Sequence, residues 1–319
     1  MYNIGIDLGG TFIKAGVVDE DNNIVAKHMI DSEVGTDIPG LRSRMVSCAM
    51  CALEKAGLTM DDVHSVGVGV PGAVDAEHGT VVYCSNIKFR NTPLAEMIRE
   101  ETGKPVYIHN DANVAAYGEV VAGAAKGCRD VVVVTLGTGV GGGIIIDGKI
   151  YSGFNSFGGE LGHTVIVHDG EPCPCGRRGC LESYASATAL IRQTRESMRN
   201  HTESRMWDIC PDISQINGKT AFDAMRAGSK AGAEVVNKYI NYLACGLTNF
   251  INIFQPEMLL IGGGISKEGE TLLEPLRKIL SVETYGAQME APKTKIGVCT
   301  LRNDAGTIGA ANLHLLYES

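Results

Sequence analysis

The sequence lacks long apolar runs. No apolar stretch approaches the roughly 20 residues that a membrane-spanning helix needs. The N-terminus also lacks a basic segment followed by an apolar one, the pattern of a secretory signal. We therefore expect a cytoplasmic protein that has no membrane partner.

Basic charge is also scarce. Lys and Arg number 28 against 37 Asp and Glu, which gives a net charge of -9, and the sequence has no long basic run. Such a chain offers no surface that could follow a nucleic-acid backbone. We expect a small-molecule partner and no nucleic acid.

The remaining composition is that of a globular protein. Of the 319 residues, 44% are hydrophobic and 20% are charged. A chain of this length can form two domains, each with its own core. No metal is needed to stabilise a small fold.

Two cysteine clusters stand out among the ten cysteines. Cys48 and Cys51 form a C-x-x-C pattern, but the apolar residues around them recur at helical spacing. This predicts buried thiols one turn apart on a helix. A redox or zinc pair is disfavoured because no second pair lies nearby.

The second cluster, Cys173, Cys175 and Cys180, lies in "CPCGRRGC", whose proline and glycines impose tight turns. Three thiolates need one more ligand for a tetrahedral zinc site, and both His163 and His168 lie within reach. A disulfide would leave one cysteine unpaired and is disfavoured in a reducing compartment. The pattern therefore predicts a zinc site.

An internal repeat relates "DLGGTFIKAGVVDEDNNIV" to "TLGTGVGGGIIIDGKIY". One offset of 128 residues separates Leu8 from Leu136 and Asp19 from Asp147. Each copy predicts a strand, a glycine turn, a second strand, a polar turn and a third strand. Backbone N–H groups of glycine-rich turns bind phosphate oxygens, so two such turns could hold one polyphosphate.

Two further glycine clusters need separate interpretations. "GTGVGG" matches G-x-G-x-x-G, but a dinucleotide site requires a following helix, and "GGGIIIDGKIYSG" predicts a strand. A dehydrogenase is therefore disfavoured. "MLLIGGGISKEGETLLEPLRKIL" predicts a strand, a glycine turn and a helix, which suits either close approach of adenosine or a simple tight turn.

Polar residues at predicted strand ends are candidates for catalysis. Asp7 precedes the first glycine turn, where it could hold magnesium through water or form an Asx turn. Asn110 and Asp111 lie between a strand and a helix predicted to begin near Ala112. Each could cap the helix, and Asp111 could serve as the general base that phosphoryl transfer to an alcohol requires. Lys14 could reach a phosphate, but an exposed strand lysine is favoured.

The chain resembles the ROK family of sugar kinases, which contains many bacterial glucokinases. The resemblance rests on these motifs in this order: "DLGGT", "VPGAVD", "NDANVAA", "LGTGVGGG", "GELGH", "CPCGRRGCLE" and "IGGGIS". It implies an α/β, duplicated actin-like ATPase (ribonuclease-H-type) fold with two domains and an interdomain active-site cleft. The expected small domain is 1–118 with a C-terminal helix over 305–319, and the expected large domain is 119–304 with the zinc-binding loop.

The resemblance also implies roles for single residues. Asp111 would be the general base and would bind the sugar together with Gly72, Asn86, Asn110, Glu160, His163 and Glu182. ATP and Mg²⁺ would be bound by Asp7, Gly9, Gly10, Thr11, Gly137, Thr138, Gly139, Gly263 and Gly264. A structural Zn²⁺ would be held by His163, Cys173, Cys175 and Cys180, because His163 is the histidine of "GELGH".

The activity implied is ATP-dependent phosphorylation of a hexose, with glucose expected first and N-acetylmannosamine, fructose or another hexose as alternatives. Lys88 and Phe89 stand where the glucokinase branch often has glycine and tryptophan, which leaves the hexose open. A non-catalytic sugar sensor is a further alternative. A transcriptional regulator is not expected, because "DLGGT" begins at Asp7 and leaves no room for a DNA-binding domain. The family resemblance implies a homodimer or homotetramer.

Overall fold

The structure is a computed structural model that describes residues 1–33, 35–84 and 86–318. Its strands and α-helices follow in this order: β1 (Tyr2–Leu8), β2 (Phe12–Val18), β3 (Ile24–Asp31), α1 (Ile38–Ala56), β4 (Val63–Val70), β5 (Ala73–Asp75), β6 (Thr80–Tyr83), β7 (Arg90–Thr92), α2 (Leu94–Thr102), β8 (Val106–Asn110), α3 (Asp111–Val121), β9 (Val131–Leu136), β10 (Val140–Ile146), β11 (Lys149–Ile150), α4 (Glu182–Ala185), α5 (Ala187–Asn200), α6 (Met206–Ile209), α7 (Thr220–Arg226), α8 (Lys230–Phe254), β12 (Met258–Gly263), α9 (Glu270–Glu283), β13 (Lys295–Val298) and α10 (Ala305–Ala311). Short 3-10 helices lie at Met60–Asp62, Leu161–His163, Ile213–Gln215, Ile265–Glu268, Arg302–Asp304 and Leu313–Leu316.

The chain divides into two compact units. Unit 1 comprises Met1–Val131, Gly143–Gly159 and Thr300–Ser319, and unit 2 comprises Val132–Gly142 and Glu160–Cys299. The domain boundary predicted at residue 118 remains a prediction, because a compact unit is not by itself an independently folding domain. Among the described helices, none combines the length and apolar character that crossing a membrane requires.

The two five-stranded sheets repeat one arrangement. Their strand orders are β3-β2-β1-β4-β8 and β11-β10-β9-β12-β13, and β5-β6-β7 form a small third sheet. In the first sheet, β2 is antiparallel to both β1 and β3, whereas β1, β4 and β8 run parallel. The carboxyl ends of these three parallel strands therefore meet at one edge.

The predicted repeat is present in the structure. β10 lies 128 residues after β2, and the strand that follows "GTG" confirms the prediction of a strand instead of a dinucleotide-binding helix. The third strand of the second copy is shorter. Its turn has only two residues, Asp147 and Gly148, with φ of 54° and 77°, and Ile146 pairs directly with Lys149.

The C-x-x-C pattern lies on α1, as predicted. Asp37 caps this helix by accepting a hydrogen bond from the backbone N–H of Gly40, and the helix ends at Gly57 in the left-handed conformation. Cys48 is fully buried, and desolvation raises the pKa of its thiol to about 11. Cys48 is therefore a core residue, whereas Cys51 is only partly buried, so the prediction of buried thiols holds for Cys48 alone.

The single tryptophan has a structural role in unit 2. The indole N–H of Trp207 donates to the carbonyls of Met198 and His201, 3.1 and 3.2 Å away. Its ring packs against a small separate core that includes Met198 and Met206. Trp207 thus supplies a donor to free carbonyls at the end of α5 and covers a satellite core.

Helix α10 belongs to unit 1 and is shorter than the predicted helix over 305–319. It ends at Ala311, and the 3-10 helix Leu313–Leu316 follows. Between them, the side-chain amide of Asn312 donates to the carbonyl of Ile308 and to Oδ1 of Asn22. α10 packs on β1, β4 and α3 so closely that glycines are required at the contacts.

Substitution of Gly67 tests this contact. A Cβ atom at Gly67 would lie 1.7 Å from the carbonyl oxygen of Ala310, whereas one at Gly35 would meet nothing within 4 Å. We expect Gly67→Ala to lower the free energy of unfolding by about 3 kcal/mol, because α10 must move off the sheet. Gly35→Ala, the control, should stay within about 0.5 kcal/mol in denaturant unfolding. Equal stability of the two variants would contradict the close packing.

Candidate active site

Four predicted site residues of unit 1 lie at the carboxyl edge of its parallel strands. Asp7 is the next-to-last residue of β1 and lies opposite Gly69 of β4, and Val70 of β4 pairs with Asn110 of β8. Asp111 directly follows β8, and Gly72 lies two residues after the end of β4. In open α/β sheets, ligands bind at this edge.

Asn110 connects these residues. Its side-chain oxygen accepts hydrogen bonds from the backbone N–H groups of Ala112 and Asn113 at 3.0 and 3.2 Å, so Asn110 is the N-cap of α3. Its amide nitrogen donates to the carbonyl of Gly72 at 3.0 Å and to Oδ1 of Asp111 at 3.1 Å. Asn110 therefore fixes the position of the neighbouring carboxylate.

Asp111 is the first residue of α3, one position before the predicted start. Its Oδ1 accepts the backbone N–H of Ala112 at 2.9 Å. The side chain is partly accessible, yet the surrounding protein desolvates it, and this desolvation raises its pKa, with a smaller contribution from the nearby charge of Asp7. A carboxylate with a raised pKa is a stronger base than an ordinary aspartate.

Lys14 lies on β2 and is only partly exposed, and its side chain has a charged partner. It lies directly opposite Asp7 on the neighbouring strand, and its Nζ is 3.2 Å from Oδ2 of Asp7. Cross-strand partners share one face of the sheet, so the strand register brings these two side chains together. The ammonium group thus lies at the same strand end as the predicted phosphate turn.

The first glycine turn leaves backbone donors available. Both carbonyls at its tip are engaged, because the hydroxyl of Ser32 donates to Gly10 and its backbone N–H to Thr11. The Gly9 N–H donates to the carbonyl of Phe12. Within the described residues, the N–H groups of Gly10 and Thr11 have no acceptor, so they can bind an anion.

The second glycine turn, in unit 2, repeats this pattern. The carbonyls of Gly137 and Thr138 accept hydrogen bonds from the Ala187 N–H and the Thr188 hydroxyl. As in the first turn, the N–H groups of Thr138 and Gly139 lack an acceptor in the part of the chain that the structure describes.

Gly263 and Gly264 lie in the turn after β12. Gly263 has φ of 83°, and a Cβ atom there would lie 2.3 Å from the carbonyl oxygen of Leu136, the residue before the second glycine turn. Gly264 has open space around it. The predicted adenosine and phosphate residues of unit 2 are therefore neighbours.

The predicted zinc ligands come together in unit 2. One ligand atom each from His163, Cys173, Cys175 and Cys180 lies within 4.8 Å of the others. The Cys175 and Cys180 sulfurs are 3.7 Å apart, and Nδ1 of His163 is 3.6 Å from the Cys173 sulfur. Zinc bound at about 2.3 Å to sulfur would have ligand separations of about 3.8 Å, so the four residues fit a tetrahedral ion. His168 lies apart from them, highly exposed beside Asp169.

The chain segment that carries Glu160 and His163 packs against the second glycine turn. A Cβ atom at Gly162 would lie 2.1 Å from the carbonyl oxygen of Val140. Glu182 accepts the Val140 N–H at 2.9 Å through Oε2, while its Oε1 lies 3.9 Å from the Cys173 sulfur. Glu160 is exposed. Glu182 therefore links the cysteine cluster to the glycine turn.

The segment 86–89, which contains the predicted sugar ligand Asn86, lies partly on the surface and partly in the core of unit 1. Asn86 and Lys88 are exposed. Phe89, which stands at the expected tryptophan position, is fully buried in the core of unit 1. Its aromatic ring therefore packs within the fold instead of facing a ligand.

Comparisons with known proteins agree with this arrangement. The ROK family profile matches residues 3–316. The glucokinase of Halalkalibacterium halodurans is 36% identical over 309 residues, which cover 97% of this chain and 93% of that protein. The xylose repressor of Caldicellulosiruptor bescii is 32% identical over 308 residues, which cover 96% of this chain and 76% of the repressor.

The fold agrees as well. The crystal structure of a ROK family glucokinase from Streptomyces griseus, in complex with glucose and AMPPNP, matches with a TM-score of 0.79 at 34% identity, and the match covers 98% of this chain and 99% of that one. This confirms the predicted α/β, actin-like ATPase fold. The sequence motifs, the fold and the relatives all lead to one assignment: this chain belongs to the ROK family.

Proposed function

We propose that this chain is an ATP-dependent sugar kinase that converts glucose to glucose 6-phosphate. The observation that carries the proposal is Asp111, a carboxylate of raised pKa held by Asn110 at the carboxyl edge of parallel strands. The glycine turns support it, since each leaves two N–H groups without an acceptor among the described residues. The similarity to glucokinases favours glucose as the hexose.

Asp111 acts as the general base. It accepts the proton of the attacking 6-hydroxyl as the oxygen bonds to the γ-phosphorus and the bond to ADP breaks. The N–H groups of Gly10, Thr11, Thr138 and Gly139 stabilise the negative charge on the phosphoryl oxygens. Asp7 would hold Mg²⁺, and this ion would neutralise phosphate charge.

The sugar hydroxyls are bound by carboxylate, amide and imidazole groups. The proposed ligands are Gly72, Asn86, Asn110, Asp111, Glu160, His163 and Glu182. The amide nitrogen of Asn110 is already engaged with Gly72 and Asp111, which makes its arrangement rigid before substrate arrives. Rigid polar groups recognise hydroxyls at low entropic cost.

The cysteine cluster is proposed to hold a structural Zn²⁺. Four protein ligands close a tetrahedral shell and leave no position for a substrate. The ligand loop begins at the segment with Glu160 and ends at Glu182, so its shape determines where these two carboxylates lie. Mg²⁺, the homodimeric or homotetrameric assembly and the cytoplasmic location remain predictions.

The substrate is tested by ADP release with ATP and Mg²⁺ over a panel of hexoses. We expect glucose to have the highest kcat/KM, above N-acetylmannosamine, fructose and mannose. A preference for another hexose would contradict glucose as the substrate but would still agree with a sugar kinase. No turnover with any sugar would overturn the kinase and favour a non-catalytic sensor.

Replacement of the base should separate binding from chemistry. Asp111→Asn preserves the shape of the side chain but cannot accept the proton, so we expect kcat to fall by at least about 10²-fold with glucose affinity within a few-fold. Asp61→Asn, at an exposed position, is the matched control and should keep full turnover. Near-normal turnover of Asp111→Asn would remove this residue from the mechanism.

The variants Asp111→Asn and Asp61→Asn should also differ in the pH dependence of their activity. Only the deprotonated carboxylate is a base, so wild-type kcat/KM should fall as the pH drops through the pKa of Asp111. Desolvation raises this pKa, and the acid limb should therefore lie above the ordinary aspartate value of 3.8. Asp61→Asn should keep this limb, and the residual activity of Asp111→Asn should lose it.

Zinc removal should weaken sugar binding before nucleotide binding. We expect Cys175→Ser to lower the zinc content and to weaken glucose binding about tenfold, with AMPPNP binding within twofold, because Glu160 and Glu182 lose their fixed positions. Calorimetric titration with each ligand measures this. Cys51→Ser, outside the cluster, should change neither zinc content nor affinity. Equal loss of both ligands in Cys175→Ser would contradict a specific effect on the sugar residues.

A further inference from the structure

A second group of possible metal ligands lies in unit 1, away from the residues described above. His64 lies at the beginning of β4, His314 in the 3-10 helix Leu313–Leu316, and Glu318 just after it. One ligand atom from each lies within 4.8 Å of the others. Asp7 and Gly72 lie at the opposite, carboxyl end of the strands, so this group belongs to a different edge of the sheet.

We propose that His64, His314 and Glu318 form a binding site for a divalent transition-metal ion such as Zn²⁺ or Co²⁺. Two imidazoles and one carboxylate favour borderline ions of this kind over Mg²⁺ and Ca²⁺, which prefer oxygen ligands. The ion would fasten segment 313–318 to β4. The proposal is independent of the kinase activity.

The tautomer of His314 is suited to metal binding. Its Nδ1 lies 3.1 Å from the carbonyl oxygen of Ala311, and a carbonyl can only accept a hydrogen bond. Nδ1 therefore carries the hydrogen, and Nε2 carries the lone pair. A ligating histidine in proteins typically donates its other N–H in this way.

Glu318 is oriented in a similar way. The hydroxyl of Tyr107 donates to its Oε1 at 2.9 Å, while its Oε2 faces Nε2 of His64 at 2.9 Å. The Tyr107 ring stacks on Tyr317, with centroids 5.2 Å apart and planes 12° apart, which fixes the chain next to Glu318. A hydrogen-bonded carboxylate with one oxygen directed into the group is the usual arrangement of a ligating glutamate.

The two imidazole rings have a suitable separation. Their centroids are 5.4 Å apart, and their planes make an angle of 78°. Two imidazoles bound to one tetrahedral ion at about 2.0–2.1 Å would have centroids about 5.3 Å apart. A metal ion would take the place of the hydrogen atom that lies between Nε2 of His64 and Oε2 of Glu318.

A Co²⁺ titration of the full chain tests the site, with bound ion measured by equilibrium dialysis and the visible spectrum recorded. A thiolate site gives sulfur-to-cobalt charge-transfer absorption, whereas a site of two histidines and a glutamate does not. In the wild type, we expect one equivalent of Co²⁺ to bind without this absorption. It should also persist in Cys175→Ser, whatever the cysteine cluster binds.

Variants of the three ligands identify the site. His314→Gln and Glu318→Gln should each lower the affinity for the Co²⁺ ion that shows no thiolate absorption at least tenfold. Glu318→Gln is a conservative change at an exposed position and should leave the fold intact. His168→Gln, at an exposed histidine outside the group, is the control and should bind as the wild type does.

Two results would overturn the proposal. One is that no ion binds outside the cysteine cluster. The other is that an ion without thiolate absorption binds equally well to His314→Gln, Glu318→Gln and the wild type. If the wild-type protein did not phosphorylate glucose, that result would contradict the proposed kinase activity but not this metal site, because the titration does not depend on activity.

Discussion

The backbone contact of α10 with the first sheet and α3 is the constraint on which unit 1 depends. Added Cβ atoms at Gly5 and Gly67 would lie 1.9 and 1.7 Å from carbonyl oxygens of α10, and one at Gly309 would lie 1.9 Å from the carbonyl oxygen of Val114 in α3. The helix therefore rests directly on β1, which contains Asp7, and on β4, whose last residue pairs with Asn110. These glycines position the candidate catalytic edge although they touch no substrate.

A buried carboxylate supports the same arrangement. Glu119 of α3 is almost fully buried, yet it accepts hydrogen bonds from the backbone N–H groups of Ala124, Thr300 and Leu301 and from the Thr300 hydroxyl, at 2.8 to 3.2 Å. Such bonds compensate for the desolvation of a charge. α3 thus carries Asp111 at its first residue and, two turns later, the group that holds the chain leading into α10.

In unit 2, a carboxylate has a comparable role at the second glycine turn. Glu182 closes this turn by binding the N–H of Val140, and Gly162 allows the segment with His163 to approach the same residue. Hydrogen bonds therefore hold the carbonyls of this turn and its last residue, Val140, in place. The N–H groups of Thr138 and Gly139 remain available on this fixed turn. Such preorganisation is what a phosphate site needs, because no binding energy is spent on ordering the loop.

The sequence by itself determined the features that depend on local spacing. These are the strand-turn-strand repeat, the helix that buries Cys48, the strand after "GTGVGG", and the sulfur-rich turn from Cys173 to Cys180. Each follows from the order of apolar, glycine and turn residues within one short segment.

Only the tertiary structure decided which residues meet across the chain. It paired Lys14 with Asp7, placed Phe89 in the core, and brought His64 to Glu318. The last pair is separated by 254 residues. Such contacts depend on strand register and on the return of the chain to the first sheet, and no local pattern in the sequence encodes either.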